Sequence, residues 1–278
     1  MHKVVRKFLR VVADHDPDYY DMHEDPNEAF FAQLYVERIL QHIKTAGIRQ
    51  PATVLEAGCQ TGRLVIPLAK EGFDVTGIDT SGFALRRAQR HLKKLGLRAH
   101  FIQGDLIEIL RKHPQWQYDV VVCAEVVYLS RAYRTMLRLL AKAVRAGGIL
   151  CVSHRPACYY LLEAIRQQDM ETAAQVLQRQ EGSFRDSSYF NWQTIQELRQ
   201  LYQGSGLKWI ASYPIDRFAW LTGVHPAQLT PSQQKDWLQL ELQVAEETVP
   251  YGRYILVIAS PEGNEREKSH AFVSRNSA

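Results

Sequence analysis

The stretch TVLEAGCQTGRLVIPLAKEGFDVTGIDT, residues 53–80, combines an apolar strand, a glycine loop, a helix and a second strand that ends in an acid. The loop glycines, Gly58 and Gly62, allow the backbone to approach a ligand closely, and the helix that follows presents free N–H groups in its first turn. This pattern predicts a nucleotide-binding unit. The stretch by itself leaves open which nucleotide the loop would hold.

The same alternation of strand and helix continues along the chain. Apolar strands are predicted over residues 53–57, 74–79, 99–103, 118–125 and 149–154. The helices between them carry apolar stripes at helical spacing, as Ala84, Ala88 and Leu92 do. Five such repeats predict an α/β fold with a parallel, doubly wound sheet and right-handed crossovers. The near-continuous apolar strands fit this fold, because both faces of a parallel sheet are covered.

The alternation loosens after the fifth strand. Residues 156–190 are predicted to form a helical insertion, and residues 217–249 a second insertion that contains a helix. Between them, Asn191 is the predicted cap of a helix, and residues 207–215 are a predicted strand. The last strand is expected over residues 252–260.

Three segments are expected along the chain. Residues 1–46 are a helical N-terminal segment, in which a helix starts near Asn27. Residues 47–260 are one nucleotide-binding domain that includes both insertions. Residues 261–278 are polar and are expected to be disordered.

Composition and charge exclude several classes of protein. The 278 residues carry a net charge of only +4, well below that of a dedicated nucleic-acid binder. The four cysteines show no C-x-x-C spacing, so neither a zinc site nor a disulfide framework is predicted. No apolar run is long enough to span a bilayer, and no signal peptide is recognised. A cytoplasmic location without membrane partners is therefore expected.

The glycine loop helps to decide between nucleotide classes. A dinucleotide fingerprint requires G-x-G-x-x-G, whereas residues 56–62 read EAGCQTG. The middle glycine is absent, and Glu56 would repel a pyrophosphate. An acid there suits the amino group and sulfonium of S-adenosylmethionine. Asp79, which ends the second strand, can bind ribose hydroxyls in either class and does not discriminate between them. An NAD(P)-dependent oxidoreductase is the rival interpretation.

An ordered set of five motifs resembles that of the class I S-adenosylmethionine-dependent methyltransferases. The motifs are VLEAGCQTGRLVIPLA at 54–69, VTGIDTS at 75–81, FIQGDL at 101–106, YDVVVCAEVVYLS at 118–130 and AVRAGGILCVSH at 143–154. The resemblance covers about residues 28–155. It implies a doubly wound, mostly parallel seven-stranded sheet with an antiparallel last strand. It also implies that the helical insertions form a cap and that the N-terminal segment is a lid.

The resemblance further implies S-adenosylmethionine as cofactor and S-adenosylhomocysteine as product. It assigns the cofactor site to Glu56, Gly58, Cys59, Gln60, Gly62, Asp79, Thr80, Asp105, Leu106 and Glu125. Asp79 would bind the ribose hydroxyls, Asp105 the adenine amino group, and Glu125 the methionyl end. Asp105 has a second interpretation as the cap of the helix that follows it.

Two residues are candidates for the catalytic step. A base is needed only where the acceptor must lose a proton. Tyr128 follows the fourth strand and His154 ends the fifth, so both are expected at the carboxyl edge of the sheet. Tyr128 can equally wall the pocket, and His154 can equally hydrogen-bond a loop. No metal ligands are predicted.

A small molecule is the predicted methyl acceptor, with its O, N or C acceptor atom and the oligomeric state left open. The aromatic residues of the two insertions suit a cap over such a molecule. Nucleic acid is disfavoured because the basic residues of the helices lie opposite apolar stripes, as on a solvated face. The residues CAEVVY at 123–128 also lack the motif of enzymes that methylate base amines. The alternatives are an RNA or protein methyltransferase, or a cofactor-binding protein without activity.

Overall fold

A computed structural model of the chain describes residues 19–184, 188–244 and 246–262. Residues 1–18 of the predicted N-terminal segment and almost all of the predicted tail lie outside these ranges. The strands are β1 (Thr53–Ala57), β2 (Asp74–Asp79), β3 (His100–Gln103), β4 (Tyr118–Cys123), β5 (Val144–His154), β6 (Glu181–Phe184), β7 (Ser188–Asn191), β8 (Leu207–Ile215) and β9 (Tyr254–Pro261). The helices are α1 (Pro26–Thr45), α2 (Val65–Lys70), α3 (Gly82–Lys94), α4 (Leu106–Lys112), α5 (Tyr133–Lys142), α6 (Ala157–Arg166), α7 (Met170–Gln178), α8 (Ile195–Gln203), α9 (Phe218–Thr222) and α10 (Pro231–Leu242).

Seven strands form one sheet in the order β3-β2-β1-β4-β5-β9-β8. The first five are parallel, while β9 runs antiparallel to both of its neighbours. The predicted fold class is therefore confirmed, including the antiparallel last strand. Because β9 is reversed, its first residue, Tyr254, pairs with Ile215 at the end of β8. The start of β9 thus lies at the edge where the parallel strands end.

Two apolar cores cover the faces of this sheet. One core includes Leu34 and Ile39 of α1 together with residues of α2 and α3. The other includes Leu137 and Leu140 of α5 together with residues of α4 and α8. The central strands β1, β4, β5 and β9 are mostly buried between these layers, as the continuous apolar runs predicted. The switch in strand order beside β1 leaves a crevice at the carboxyl edge, which is where ligands bind in such sheets.

Some predicted boundaries are wrong. Helix α2 begins at Val65, three residues after the loop glycine Gly62, because residues 60–64 form turns. Helix α8 begins after Thr194, whose side chain accepts from the Glu197 N–H while the Glu197 carboxylate accepts from the Thr194 N–H. This capping box replaces the predicted Asn191 cap. Asn191 instead ends β7, and its amide donates to Val127 O at 2.9 Å.

The first insertion is only partly helical. After α6 and α7, the antiparallel pair β6–β7 forms a hairpin that the helical prediction missed. Its inner residues join a third apolar cluster in which Tyr160 and Trp192 are fully buried. In the second insertion, α10 packs against α1, with the rings of Trp237 and Phe30 6.5 Å apart. Within the described ranges, no helix combines the length and apolar character needed to cross a bilayer.

Candidate active site

A cavity of about 430 Å³ lies at the carboxyl ends of β1, β2 and β4. Most of the residues predicted to hold the cofactor line it together: Glu56, Gly58, Cys59, Gln60, Asp79, Thr80, Asp105, Leu106 and Glu125. Tyr128, one of the two catalytic candidates, also lines the cavity. Gly62 and His154 do not. Gly62 belongs to the turn beneath the cavity, with φ +88° and its N–H donating to Cys59 O at 2.8 Å.

The glycine loop is shaped by close backbone contacts. Gly58 has φ +85°, and a Cβ atom there would lie 2.2 Å from Val126 Cγ2. The N–H groups of Gly58 and Cys59 both donate to Ile78 O, at 2.7 and 3.0 Å. Only glycine fits the first loop position, because both the left-handed backbone and the contact with Val126 exclude a side chain.

Asp79 is held in one orientation by the backbone around it. One carboxylate oxygen accepts from the Gln60 N–H at 2.9 Å, and the other from the Ser81 N–H at 2.8 Å. Each oxygen has further lone pairs to offer at the cavity. The side chain is therefore preorganised to accept hydroxyl donors from a bound ligand.

Glu56 is buried at the end of β1, with 3% of its surface exposed. Its Oε2 atom has no hydrogen-bond partner. Burial raises the pKa of Glu56 to about 8, although the nearby charge of Arg63 acts in the opposite direction. A buried carboxylate oxygen without a partner is costly and suits a ligand that brings a positive group. This observation fits S-adenosylmethionine and does not fit a pyrophosphate.

Arg63 joins the cavity to the N-terminal helix. Its Nη2 donates to Glu125 Oε1 at 2.7 Å, and its Nη1 donates to Glu28 at the start of α1. Tyr35 of α1 also donates to Glu125 Oε1, at 3.3 Å. Although burial acts to raise it, the pKa of Glu125 is held below its ordinary value by the charge of Arg63. Arg63 was not among the predicted site residues, although its position directly after the last loop glycine was an available signal.

The backbone at Glu125 is unusual. It has φ +62°, and its N–H donates to Ser153 Oγ of β5 at 2.6 Å. A left-handed conformation at a non-glycine residue costs free energy and is found mainly where the surroundings enforce it. Here the contacts with Arg63 and Ser153 aim the carboxylate at the cavity.

Residues 19–25 lie across the glycine loop. The Gln60 side chain donates to Tyr20 O at 3.2 Å, and the His23 N–H donates to Thr61 Oγ1 at 3.4 Å. Met22 lines the cavity. The part of the N-terminal segment that the structure describes therefore borders the site.

Asp21 fixes this segment to α3. Its Oδ2 atom lies 2.7 Å from Arg87 Nε and 3.0 Å from His91 Nε2. Although burial acts to raise it, the pKa of Asp21 is lowered to about 2 by hydrogen bonds from His91, Thr61 and Arg87. This ionised carboxylate anchors the segment beside the loop.

Asp105 has two contacts that bear on its role. It lines the cavity, and its Oδ1 also accepts from the Glu108 N–H at 3.0 Å. It is thus the N-cap of α4, as its second interpretation stated. Leu106, the next residue, is buried and contributes an apolar wall.

His154 lies apart from the cavity, on the face of β5 that α8 covers. It is 1% exposed, and its Nε2 lies 2.9 Å from Tyr202 Oη. Burial lowers its pKa to about 3. A neutral, enclosed imidazole that does not reach the cavity cannot take a proton from an acceptor there. This placement removes His154 from the candidate catalytic residues.

Tyr128 is the catalytic candidate that reaches the cavity. It is 5% exposed, and burial raises its pKa. Its ring stacks on Phe190 of β7 with centroids 6.4 Å apart and lies 6.0 Å from the ring of Tyr254. The residue therefore separates the cavity from an aromatic region built by the first insertion and β9.

Residues 48–206 match a family model described as a methyltransferase domain. The chain belongs to this methyltransferase family. With the seven-stranded sheet, this confirms the resemblance to class I methyltransferases, which use S-adenosylmethionine.

Similar proteins include ubiquinone biosynthesis O-methyltransferases from Klebsiella pneumoniae, 36% identical over 95 residues, and from Yersinia pestis, 34% identical over 95 residues. These matches span 34% of this chain and 39% of each relative. Two solved methyltransferase structures share the fold at low identity. Magnesium protoporphyrin IX methyltransferase from Synechocystis, with bound S-adenosylhomocysteine, has a TM-score of 0.56 at 16% identity, covering 92% of this chain and 97% of that chain. An S-adenosylmethionine-dependent methyltransferase from Clostridium acetobutylicum has a TM-score of 0.55 at 11% identity, covering 94% of this chain and 98% of that chain.

Proposed function

We propose that this chain transfers the methyl group of S-adenosylmethionine to a small molecule and releases S-adenosylhomocysteine. The observation that carries the proposal is Glu56, a buried side chain with an unpartnered carboxyl oxygen, in a cavity where a second acid, Asp79, is fixed for hydroxyl donors. The two acids match the two ends of this cofactor, a cationic methionyl group and a ribose.

Each lining residue then has a role toward the cofactor. Glu56 balances the positive charge of the methionyl end, and Glu125 lies near that end with its charge shared by Arg63. Asp79 accepts the ribose hydroxyls, and Asp105 and Leu106 bind the adenine. The cofactor supplies an activated methyl group, so the protein chiefly aligns the acceptor and excludes water.

The acceptor side of the site is built by the insertions. Tyr128 and Phe190 present stacked rings where the cavity meets the first insertion. Such surfaces suit a small, partly apolar acceptor. The names of the relatives, O-methyltransferases of ubiquinone biosynthesis, support small-molecule methylation. We propose that residues 19–46 form part of a lid, since residues 19–25 border the glycine loop, and that both insertions form a cap.

We also propose a cytoplasmic location. All four cysteines are unpaired, and three of them are buried. Unpaired thiols are typical of proteins in a reducing compartment.

Calorimetric titration with S-adenosylmethionine, S-adenosylhomocysteine and NADH tests the cofactor site. We expect binding of the two sulfur compounds, weakened about 30- to 100-fold in Asp79→Ala because charge-assisted hydrogen bonds are lost. The matched control is Asp74→Ala, which removes an exposed acid at the other end of the same strand and should bind normally. Binding of NADH alone would overturn the proposal.

Turnover is tested separately with methyl-labelled S-adenosylmethionine. A panel of small hydroxyl, amine and acidic-carbon compounds is compared with transfer RNA and with protein. Label in a small molecule supports the proposed acceptor class. Label in RNA or protein alone would favour the alternative class, and cofactor binding without any transfer would favour an inactive binding protein.

A further inference from the structure

Arg155, the residue directly after β5, is enclosed by aromatic rings. Its guanidinium carbon lies 4.4 Å from the ring centroid of Tyr128, 4.7 Å from that of Tyr159 and 4.8 Å from that of Tyr254. These three rings are called the tyrosine cage. The cage adjoins the cofactor cavity, because Tyr128 belongs to both.

The cation in this cage has no carboxylate partner among the residues that the structure describes. Its Nη2 donates to Tyr254 Oη at 2.7 Å, while its Nε is buried without any acceptor. By contrast, Arg63 pairs with Glu125 at 2.7 Å, and Arg253 pairs with Asp216 at 3.2 Å. A guanidinium without an ion-pair partner, whose Nε is buried without an acceptor, is costly.

A second polar atom in the same place is also unsatisfied. The Tyr160 hydroxyl, from α6, is buried and has no acceptor for its hydrogen, because the neighbouring guanidinium can only donate. Burial of Tyr160 raises the pKa of its hydroxyl, although the charge of Arg155 acts in the opposite direction, so this hydroxyl is a neutral donor. Arg155 itself is partly exposed. A reachable guanidinium beside an unused hydroxyl is a matched set of donors for an anionic group.

We propose that Arg155 and the tyrosine cage bind a carboxylate carried by a planar methyl acceptor. The proposal rests on the proposed function and names its substrate class. The guanidinium supplies the charge and the Tyr160 hydroxyl a further donor. The flat rings, including the Tyr128–Phe190 stack, accept the planar body of the acceptor.

The charge around the cage favours a single negative charge over two. Arg253 already pairs with Asp216, and Arg63 with Glu125 and Glu28. Arg155 is thus the one of these three arginines that has no ion-pair partner among the described residues, and it offers a single positive charge to a ligand. A carboxylate monoanion matches it, whereas a phosphate dianion would remain half uncompensated beside Glu125 and Asp216.

Ligand-observed NMR titrations with simple probes test this site in the full chain saturated with S-adenosylhomocysteine. The probes are benzoate, the isosteric neutral benzamide, and phenyl phosphate. We expect benzoate to bind with a millimolar dissociation constant and the other two to bind at least about tenfold more weakly, since the net worth of a charge-assisted hydrogen bond is of that size.

Variants separate a ligand site from a packing role. Arg155→Gln should weaken benzoate binding at least about tenfold and leave benzamide binding unchanged, and Arg155→Lys should retain part of the affinity. The control Arg145→Gln removes an exposed arginine at the start of β5 and should bind benzoate as the unaltered protein does. If Arg155→Gln fails to fold, the affinity of Arg155→Lys for benzoate and the comparison of the three probes in the unaltered protein decide whether Arg155 binds a carboxylate.

Equal binding of benzoate and benzamide, unchanged benzoate binding in Arg155→Gln, or tighter binding of phenyl phosphate would each overturn the proposal. Binding of S-adenosylhomocysteine is measured independently by calorimetry in every variant. Its failure in the unaltered protein would overturn the proposed function. If S-adenosylhomocysteine binds normally but benzoate binds no better than benzamide, only the carboxylate site is overturned.

Discussion

The buried Arg63 and the partly buried Glu125 form an ion pair, with Nη2 and Oε1 2.7 Å apart, although they follow different strands of the sheet. The same guanidinium pairs with Glu28 at the first turn of α1. One side chain thereby connects the glycine loop, the end of β4 and the N-terminal helix. The packing of α1 over the site depends on this pair.

Loss of Arg63 should strongly destabilise the fold. Arg63→Met leaves the largely enclosed Glu28 and Glu125 carboxylates without their cation, so the free energy of unfolding should fall by about 3 kcal/mol in urea denaturation. The control Arg145→Met breaks an exposed pair with Asp119 and should cost less than about 1 kcal/mol. A loss at position 63 no greater than in the control would contradict the structural role of the pair.

The contact between Gly58 and Val126 can be separated from backbone strain. Gly58→Ala places a Cβ 2.2 Å from Val126 Cγ2 in addition to its positive φ. Gly147 also has positive φ, at +81°, but nothing lies within 4 Å of its Cβ position. We expect Gly147→Ala to cost about 1–2 kcal/mol and Gly58→Ala clearly more, by thermal or urea unfolding.

The second substitution Val126→Ala should restore much of that difference, because the remaining Val126 Cβ would lie 3.4 Å away. A double variant no more stable than Gly58→Ala would show that the clash is relieved in another way.

Cofactor binding should release a proton from Glu56. Its pKa in the folded protein is raised to about 8 by burial, so the side chain is mostly protonated at pH 7. A cationic ligand favours the ionised form, and binding near pH 7 should therefore release close to one proton. Calorimetry of S-adenosylmethionine in buffers of different ionisation enthalpy measures this release, which Glu56→Gln should abolish. The control Glu37→Gln alters an exposed acid of α1.

The same shift predicts the sign of a stability change. Between the pKa of an unfolded glutamate, about 4.3, and the folded value, the folded state binds more protons than the unfolded state. Glu56 therefore lowers the free energy of unfolding as pH rises through this range. The free energy of unfolding of Glu56→Gln, compared with that of the unaltered protein at the same pH, should therefore be higher at pH 8 than at pH 5. An unchanged pH profile would refute the assigned protonation.

Asp21 should control the order of the segment that borders the glycine loop. Asp21→Ala removes the anchors to Arg87 and His91, and amide hydrogen exchange in residues 20–24 should accelerate at least about tenfold. The control Glu24→Ala removes an exposed acid that lies 3.6 Å from Arg87 and should change little. Weaker binding of S-adenosylhomocysteine in Asp21→Ala alone would support the lid, and equal binding in both variants would argue against it.

Local sequence was sufficient where one element determines its own structure. Residues 207–215 form the predicted strand, and the five strands predicted to be parallel are parallel in the structure. The β6–β7 hairpin was missed, since its residues Phe184 and Phe190 pack on Tyr160 of α6, a contact that the local sequence does not reveal. Thr194 caps the helix in place of the predicted Asn191, because the Asn191 amide donates instead to Val127 O, a residue distant in sequence.

The site was predictable to the extent that it follows strand ends. Asp79 and Glu125 meet at one cavity because parallel strands end at a common edge. His154 also ends a strand, but its side chain points into the opposite core, and a sequence alone does not say which face a fully buried strand presents there. Arg63 and Arg155 were missed because their significance depends on partners, or the lack of one, far along the chain.

The reversed strand β9 helps to build the site from two separate parts of the chain. The residues proposed to bind the methyl donor all lie before position 130, whereas Arg155, Tyr159 and Tyr254 lie after position 154. Arg155 follows the end of β5, and Tyr254 reaches the same edge because β9 starts there. The two halves meet along the β4–β5 pair. Apart from Tyr128, the proposed acceptor contacts can therefore be altered by substitutions after residue 154 that leave every proposed cofactor contact in place, which makes this side of the site the one open to engineering.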